Sequence, residues 1–343
     1  MADIRDIDVI KTWVLSSTLN FTRFFFKQLY KRKFVVGRHH IRIGQALDRV
    51  FKGEVTRLII NIAPRFGKTE LAVKNFIAMG LVIPTEDTDV SFFKECMDGI
   101  CEKASEYNYD IIVAMMKEER LEQLQRLVMN HKADGIILTR ATMNSDAVRF
   151  LKEQEIPFVV IGPPDDLDVV SIDNPNREAS RELTALLLLK GLRRIALVGG
   201  DSRHHVTESR KQGFLDAHKD RGFHADDAPI FMEIGDYRRA MWAVDRILLA
   251  ESDGIVCMDD HISALVLGCL RERGVEVPSR IRLASLYDSH QMEQNLPAVT
   301  SLRFDTRELG RNACLEMLRM LGEELFQEPQ KLDYQVILRE STK

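Results

Sequence analysis

The triplet Gly67-Lys68-Thr69 contains residue types that could bind and hydrolyse a nucleotide. It follows an apolar run, Arg57–Ile62, that predicts a strand, and it precedes a helical pattern from Glu70 to Met79. In such a loop the backbone amides surround the phosphates, the lysine reaches the outer phosphates and the hydroxyl binds magnesium. The pattern is incomplete, because Ile62 stands where the first glycine belongs. These three residues are candidates for phosphate binding.

A second set of polar groups stands directly after apolar runs that predict strands. Asp173 follows such a run, Asp201 follows Gly199-Gly200, and Asp259-Asp260 and Tyr287-Asp288 follow two more. The carboxyl ends of parallel strands lie at one edge of a sheet, and ligands bind there. We therefore expect these side chains to converge on a ligand site.

The elements that position these groups alternate between strands and helices. Residues 169–172 predict a strand, Asn174-Pro175 predicts a helix start, and Lys190-Gly191 predicts the end of that helix. A strand then leads into Gly199-Gly200. Similar units fill the chain from Gly80 onward, with predicted strands near 80–84, 110–116, 135–138, 157–161, 194–198, 229–233, 254–258, 281–287 and 299–303. This order predicts an α/β fold with parallel sheets.

Composition places the chain among ordinary globular proteins, with 343 residues, 45% hydrophobic and 29% charged. Charge divides it: residues 1–79 hold 15 Lys and Arg against 6 Asp and Glu, a net of +9, and the rest has a net of −13. The five cysteines form no CxxC pair, and His204-His205 lacks a third metal ligand in the sequence. No apolar run approaches the 18 residues of a membrane span. We expect a cytoplasmic protein without metal or cofactor.

The basic segment 1–79 resembles the amino-terminal start of phage terminase large subunits, which are DNA-packaging motors. The residues that carry this resemblance are Phe34–His40 and Leu58–Phe76. In that family the loop corresponding to Ala63–Thr69 binds ATP. The family's Walker B strand, coupling motif and nuclease region do not follow in this sequence.

From Gly80 to Lys343 the chain resembles the effector-binding core of LacI/GalR-type repressors, which are akin to periplasmic sugar-binding proteins. The resemblance rests on segments in the family's order: 80–84, 91–93, 133–137, 156–161, 171–174, 191–200, 210–214, 296–301 and 338–342. It implies two lobes, one of residues 80–161 and 295–323 and the other of 162–290 and 328–343. The family's DNA-reading helix-turn-helix should precede Gly80, and the terminase-like segment stands in its place.

The resemblance also implies an effector, most simply a sugar, in the cleft between the lobes. It assigns polar contacts to Asp173, Arg210 and Asp288 and an aromatic wall to Tyr237. The set of candidate contacts is completed by Phe92, Phe93 and Asp259, the last in place of the family's usual asparagine. The residues alone leave alternatives open, since Asp173 could serve the helix start, Arg210 could form a surface ion pair, and one phenylalanine could belong to the core.

Two functions of different classes remain open at the level of sequence. The first is a non-catalytic sensor of a LacI-type regulator, a homodimer with at most non-specific nucleic-acid contact and no membrane partner. The second is a P-loop ATPase that uses Lys68 and Thr69. Its acidic strand would have to be Ile255–Asp260, which fits better as a strand of the effector core. We therefore expect no enzymatic activity. A joining of two unrelated parts by recombination, by engineering or by an error of sequence assembly is a third possibility.

Overall fold

The computed structural model describes residues 16–17, 19–22, 38–52, 54, 78–84, 91–116, 120–140, 145–163, 168–222 and 228–343. The chain forms two compact units, Met1–Ala78 and Met79–Lys343, which differ by one residue from the predicted division. Within the described ranges, no helix combines the length and the apolar character that a membrane crossing requires.

The described part of the first unit contains helix α1, Arg38–Phe51. Its buried side chains include Ile43 and Leu47, which are four residues apart and therefore lie on one helix face. The helix agrees with the helical pattern predicted for residues 1–53. The aromatic and basic run at residues 24–33 lies outside the described residues.

The second unit begins with a five-stranded sheet in the order β2-β1-β3-β4-β5, which forms lobe 1. The pairs β1–β3, β3–β4 and β4–β5 are parallel. Every residue of β3 and β4 is buried, as expected for parallel strands that are covered on both faces. The strands are β1 Ala78–Pro84, β2 Asp110–Met116, β3 Gly135–Leu138, β4 Phe158–Ile161 and β5 Ser171–Ile172. The helices between them are α2 Ser91–Glu106, α3 Glu122–Met129 and α4 Asp146–Glu153.

Lobe 2 contains a six-stranded sheet in the order β11-β10-β9-β8-β6-β7. Its pairs are parallel except β10–β11, which is antiparallel. The strands are β6 Ile195–Val198, β7 Ile230–Phe231, β8 Gly254–Cys257, β9 Arg282–Ser285, β10 Thr300–Phe304 and β11 Tyr334–Ile337. The helices are α5 Asn176–Leu189, α6 His205–Asp220, α7 Tyr237–Leu249, α8 Asp260–Glu272 and α9 His290–Gln294.

Helix α10, Thr306–Met320, returns the chain from lobe 2 to lobe 1 and packs against α2. Two glycines permit this close packing. A Cβ on Gly99 would lie 2.0 Å from the Arg307 carbonyl oxygen, and one on Gly310 would lie 2.1 Å from that of Cys96. Any larger residue at either position would force the helices apart.

The chain therefore crosses between the lobes after β5, after β10 and after α10. These crossovers correct the predicted lobe boundaries. Lobe 1 extends through β5 and does not end at residue 161, because Ser171 and Ile172 pair with β4. Its return begins after β10 and not at residue 295, because Thr300 and Ser301 pair with β9 in the sheet of lobe 2.

The local predictions differ from the structure at a few element ends. Ala78 and Met79 lie in strand β1, so the helix predicted from Glu70 to Met79 does not include these two residues, and the rest of that prediction lies outside the described residues. Helix α5 begins at Asn176 with Pro175 as its N-cap, one residue later than predicted. Strand β11 was not predicted, since its half-exposed residues lack a continuous apolar run. Gly191 has φ +92°, as the predicted helix end after Lys190 requires. The predicted two-lobe α/β fold is confirmed.

Candidate functional site

Residues that follow strands of the two lobes touch each other. Phe92, at the start of α2, makes an edge contact with Tyr287 beyond β9, with ring centroids 6.1 Å apart. Arg140, after β3, interacts electrostatically with His204, after β6. The Tyr287 hydroxyl also lies 3.3 Å from Thr306 Oγ1, at the start of α10. The carboxyl ends of both sheets therefore meet, and the region between them is called the cleft below.

Arg210 on α6 is the central cation of this cleft. Its Nε donates to Asn176 Oδ1 at 3.1 Å, and its Nη1 donates to the carbonyl oxygen of Met258 at 2.5 Å. Burial lowers the pKa of the guanidinium, and the nearby Asp259 and Asp173 carboxylates counteract that effect. Arg210 is thus not a surface ion pair. It joins the start of α5 to the end of β8.

Asp173 lies in the crossover between β5 and α5. Its Oδ1 accepts a hydrogen bond from Asn176 Nδ2 at 3.0 Å. Burial raises the pKa of the carboxyl to about 6, although the bonds from Asn176 and the Asn174 amide, and the charge of Arg210, favour the ionised form. The neighbouring Asn174 is only 7% exposed, and its Oδ1 is buried with no hydrogen-bond partner in the part of the chain that the structure describes.

Asp259 forms the N-cap of α8, because its Oδ1 accepts from the backbone amide of Ile262 at 2.7 Å. Burial raises the pKa of this carboxyl, and the Ile262 amide and Arg210 oppose the rise. Asp260 is the first residue of the helix and is buried. A substitution of Asp259 by asparagine would preserve the cap, since both residues are good N-caps.

Asp288 differs from its expected role as an open ligand contact. Its side chain is 4% exposed and pairs with Arg339 and Arg303, each at 2.7 Å. Ser301 Oγ donates to the same carboxylate at 2.6 Å. Burial would raise the pKa of Asp288, but these donors outweigh it and hold the pKa below the ordinary value. The carboxylate joins the end of β9 to β10 and to the segment after β11, so its acceptor capacity is already used.

The two adjacent phenylalanines have different roles. Phe93 is 4% exposed and belongs to the core of lobe 1. Phe92 is partly buried and packs against the cores of both lobes. The rings of the two residues meet at 5.1 Å, edge to face. Of this pair, Phe92 is therefore the residue that contributes an apolar surface between the lobes.

Tyr237 does not form the predicted aromatic wall. Its hydroxyl donates to Glu272, and its ring lies against Gly268. Glu272 is the last residue of α8, whereas Asp259 caps the first turn. At a rise of 1.5 Å per residue the two ends of α8 are about 20 Å apart. The contact with Glu272 therefore directs the tyrosine ring away from the carboxylates.

Sequence reasoning missed the contributions of Asn174, Asn176 and His204. Asn176 was overlooked because polar residues at helix starts ordinarily serve the helix itself. In the sequence, His204 stands out only as half of an apparent metal-binding pair with His205. Burial, together with the charge of Arg140, lowers its pKa to about 4, so the imidazole is neutral near pH 7. The signal that could have identified His204 is its position shortly after strand β6, which is followed by Gly199-Gly200. Among the described residues, no group of three or more metal-type side chains is assembled.

The phosphate-binding candidates Gly67, Lys68 and Thr69 lie outside the described residues. The acidic run that could have completed a nucleotide site, Ile255–Asp260, forms β8 and the start of α8. Strand β8 pairs with β6 and β9 inside the sheet of lobe 2.

The fold and the cleft define a two-lobe ligand-binding domain, and comparison with known proteins gives its family. The family of periplasmic binding proteins and sugar binding domains of the LacI family matches residues 77–333. The chain belongs to this family.

Among curated relatives, the HTH-type transcriptional regulator MalR of Streptococcus pneumoniae is 26% identical over 273 residues, which cover 77% of this chain and 81% of MalR. Catabolite control protein A of Staphylococcus aureus is 22% identical over 298 residues, covering 85% and 90% of the two chains.

Solved structures show the same fold. The regulator CcpA of Lactococcus lactis superimposes with a TM-score of 0.70 at 22% identity, over 78% of this chain and all of that one. A complex of the transcriptional regulator CelR with cellobiose gives a TM-score of 0.69 at 22% identity, over 86% and 94% of the two chains.

Proposed function

We propose that the cleft binds a small polyhydroxylated molecule, a sugar or a sugar derivative, and releases it unchanged. The observation that carries the proposal is the buried Arg210 guanidinium, which donates to Asn176 Oδ1 and to the Met258 carbonyl oxygen at the end of β8. Its charge is stabilised by the carboxylates of Asp259, Asp173 and Asp260. Carboxylates accept hydrogen bonds from hydroxyl groups, and fixed polar groups of this kind orient a ligand in a cleft.

Each cleft residue has a separate role in this proposal. Asp173 and Asp259 accept hydrogen bonds from the ligand. Arg210 holds Asn176 and the end of β8 in place through its two hydrogen bonds. Phe92 and Tyr287 provide apolar surface where the lobes touch. A ligand that contacts both lobes favours the arrangement in which these surfaces meet, because it binds that arrangement better.

We propose that this domain senses a ligand for a transcriptional regulator. Support comes from the names of its relatives, MalR and catabolite control protein A, and from the CelR complex with cellobiose. The amino-terminal segment, which resembles a truncated terminase start, is proposed to contribute only non-specific phosphate contacts, through Lys31, Arg32, Lys33 and Arg38.

A homodimer is also proposed, with α2 and the region from Met241 to Leu270 as its contact surfaces. Family resemblance is the basis for this assignment. Analytical ultracentrifugation of the full chain is expected to give twice the monomer mass, and a monomer at tens of micromolar would contradict the assignment.

Thermal-shift measurements on the full chain test ligand binding. A panel of mono- and disaccharides is expected to contain at least one compound that raises the melting temperature, since ligand at a hundred times its Kd adds about 2.7 kcal/mol of stability. Titration calorimetry of that compound should show binding to Arg210→Ala weakened by roughly ten- to a hundredfold. Asn176 and the end of β8 would lose the charged donor that positions them, and hydrogen bonds to charged groups are worth about 1.5–3 kcal/mol each.

The controls separate a local effect from loss of the fold. Arg210→Lys keeps the charge but not the two-pronged donor geometry, so it is expected to fold and to bind more weakly than the parent. Arg177→Ala removes an arginine that pairs with Asp216 at 2.7 Å and is 60% exposed, and it should bind like the parent. A panel without any stabilising compound, or equal binding by Arg210→Ala, would overturn the proposal.

A further inference from the structure

The groups around Arg210 contain more acceptors than donors. The carboxylates of Asp259, Asp173 and Asp260 favour the charged form of the guanidinium electrostatically. Yet the acceptors of its two hydrogen bonds, Asn176 Oδ1 and the Met258 carbonyl oxygen, are uncharged. One positive charge therefore stands among three groups that are negative when ionised.

A buried acceptor without a donor adjoins this cluster. Asn174 Oδ1 has no hydrogen-bond partner within the described ranges, and the residue is 7% exposed. Asn176 connects it to the rest, because Asn176 Nδ2 donates both to Asp173 Oδ1 at 3.0 Å and to the Asn174 carbonyl oxygen at 3.2 Å. Buried polar atoms are rarely left unpaired in native proteins. The unpaired atom is an acceptor, so it lacks a donor, and the carboxylates that act on Arg210 outnumber this one cation.

We propose that the ligand carries a protonated amine, as an amino sugar does, and that Asp173, Asn174 and Asp259 accept its hydrogen bonds. This inference rests on the proposed function of the cleft. An ammonium group offers three donors, a positive charge and no acceptor. A phosphate or carboxylate on the ligand would bring further acceptors and negative charge to a cluster that already has an excess of both.

A neutral hydroxyl group supplies a donor without the charge. It would occupy the same position and donate to the carboxylates, but without the attraction of opposite charges that an ammonium adds, and its bond to Asn174 Oδ1 would be the weaker, uncharged type. The difference predicts that an amino sugar binds roughly tenfold more tightly than the neutral sugar of the same shape.

Isothermal titration calorimetry of the full chain at pH 7.5 tests this inference with matched sets of probes. Each set contains a sugar, its 2-amino-2-deoxy derivative, the N-acetylated form of that derivative and the sugar 6-phosphate, for glucose, galactose and mannose. N-acetylation removes the charge and keeps the nitrogen. In one set the amine is expected to bind roughly tenfold more tightly than the other three members.

Asp259→Asn provides the matched variant. It preserves the N-cap of α8 and the shape of the side chain, so it is expected to fold normally. It should bring the affinity for the amine to within about twofold of that for the neutral sugar, because it weakens binding of the amine more than binding of the neutral sugar. Asp216→Asn, on the ion pair between α5 and α6, serves as the control and should retain the tenfold preference.

The outcomes distinguish the inference from the proposed function. If the neutral sugar or the sugar phosphate binds as tightly as the amine, the inference fails and the sugar-binding function stands. A preference for the amine that persists unchanged in Asp259→Asn also overturns the inference. If no member of any set binds, and the disaccharides of the thermal-shift panel have no effect either, the proposed function and the inference fail together.

Discussion

Replacement of Asp173 by asparagine should stabilise the ligand-free protein while weakening ligand binding. The carboxyl has an ordinary pKa of 3.8, and burial raises it to about 6 in the folded protein. Near pH 7 the Asp173 carboxyl is therefore ionised, although its environment in the folded protein favours the neutral form. Asparagine removes that charge and retains an oxygen that can accept from Asn176.

The magnitude follows from the change in pKa. A pKa increase from 3.8 to about 6 corresponds to about 3 kcal/mol of lost stability above pH 6. The replacement also exchanges charge-assisted hydrogen bonds from Asn176 and the Asn174 amide for weaker neutral ones. We expect a net gain of about 1–2 kcal/mol at pH 7.5, or about 3–6 °C in melting temperature.

The dependence on pH provides the specific signature. Between pH 3.8 and about 6 the folded protein binds more protons at Asp173 than the unfolded chain does, so the stability of the parent falls as pH rises through this range. His204 has the opposite sign: its pKa falls from 6.5 to about 4, so its contribution is complete above pH 6.5 and is lost as pH falls toward 4. The two effects overlap in the parent, and only the difference between the parent and Asp173→Asn isolates the carboxyl.

Urea unfolding of both proteins at pH 4.5 and pH 7.5 measures that difference. The gain should be present at pH 7.5 and much smaller at pH 4.5. Asp216→Asn is the control, because its ion pair with Arg177 lowers the pKa of Asp216 and the variant should gain no stability. A loss of stability in Asp173→Asn at pH 7.5, or an equal gain at both pH values, would refute the reasoning.

Three further predictions concern other parts of the chain. Asp288→Ala should lower the free energy of unfolding by about 3–5 kcal/mol, because it leaves Arg339 buried without its counter-ion. Arg303→Ala should cost less, since Arg303 is 51% exposed; equal losses in urea titrations would contradict this. The full chain should release no phosphate from ATP in a steady-state assay with magnesium, and release that disappears in Lys68→Ala would show this to be wrong. Filter binding to duplex DNA should be independent of sequence and weaken steeply as salt rises, so a footprint at one site near physiological salt would disprove it.

The sequence was sufficient to predict the strands that carry the cleft. The runs 135–138, 195–198 and 254–257 are apolar without interruption, and each forms a buried parallel strand. Their order also determines which residues stand at carboxyl ends. This is why Asp173 and Asp259 could be selected from the sequence, and why their position at the strand ends does not depend on the exact ends of the helices.

Side-chain partners could not be predicted in the same way, because they depend on residues far apart in the chain. Asp288 has the same place after a strand as Asp259, yet its carboxylate is occupied by Arg339, 51 residues away. Tyr237 is directed toward Glu272 by the packing of α7 on α8, a contact between residues 35 apart. Neither partner follows from a local pattern, since the positions of long side chains are fixed only when the strands and helices of the lobe pack together.

Asn174 is a second residue whose role in the structure differs from the one that its place in the sequence suggests. An Asp-Asn-Pro run before a helix is ordinarily explained by capping, and that explanation would satisfy both polar side chains. In the structure Pro175 occupies the cap position, and the Asn174 Oδ1 atom is left buried without a donor among the described residues. A buried acceptor that the fold does not satisfy favours a bound donor over a purely structural role. We therefore expect a hydrogen-bond donor of the ligand to bind at this crossover between the lobes, where the unpaired acceptor lies.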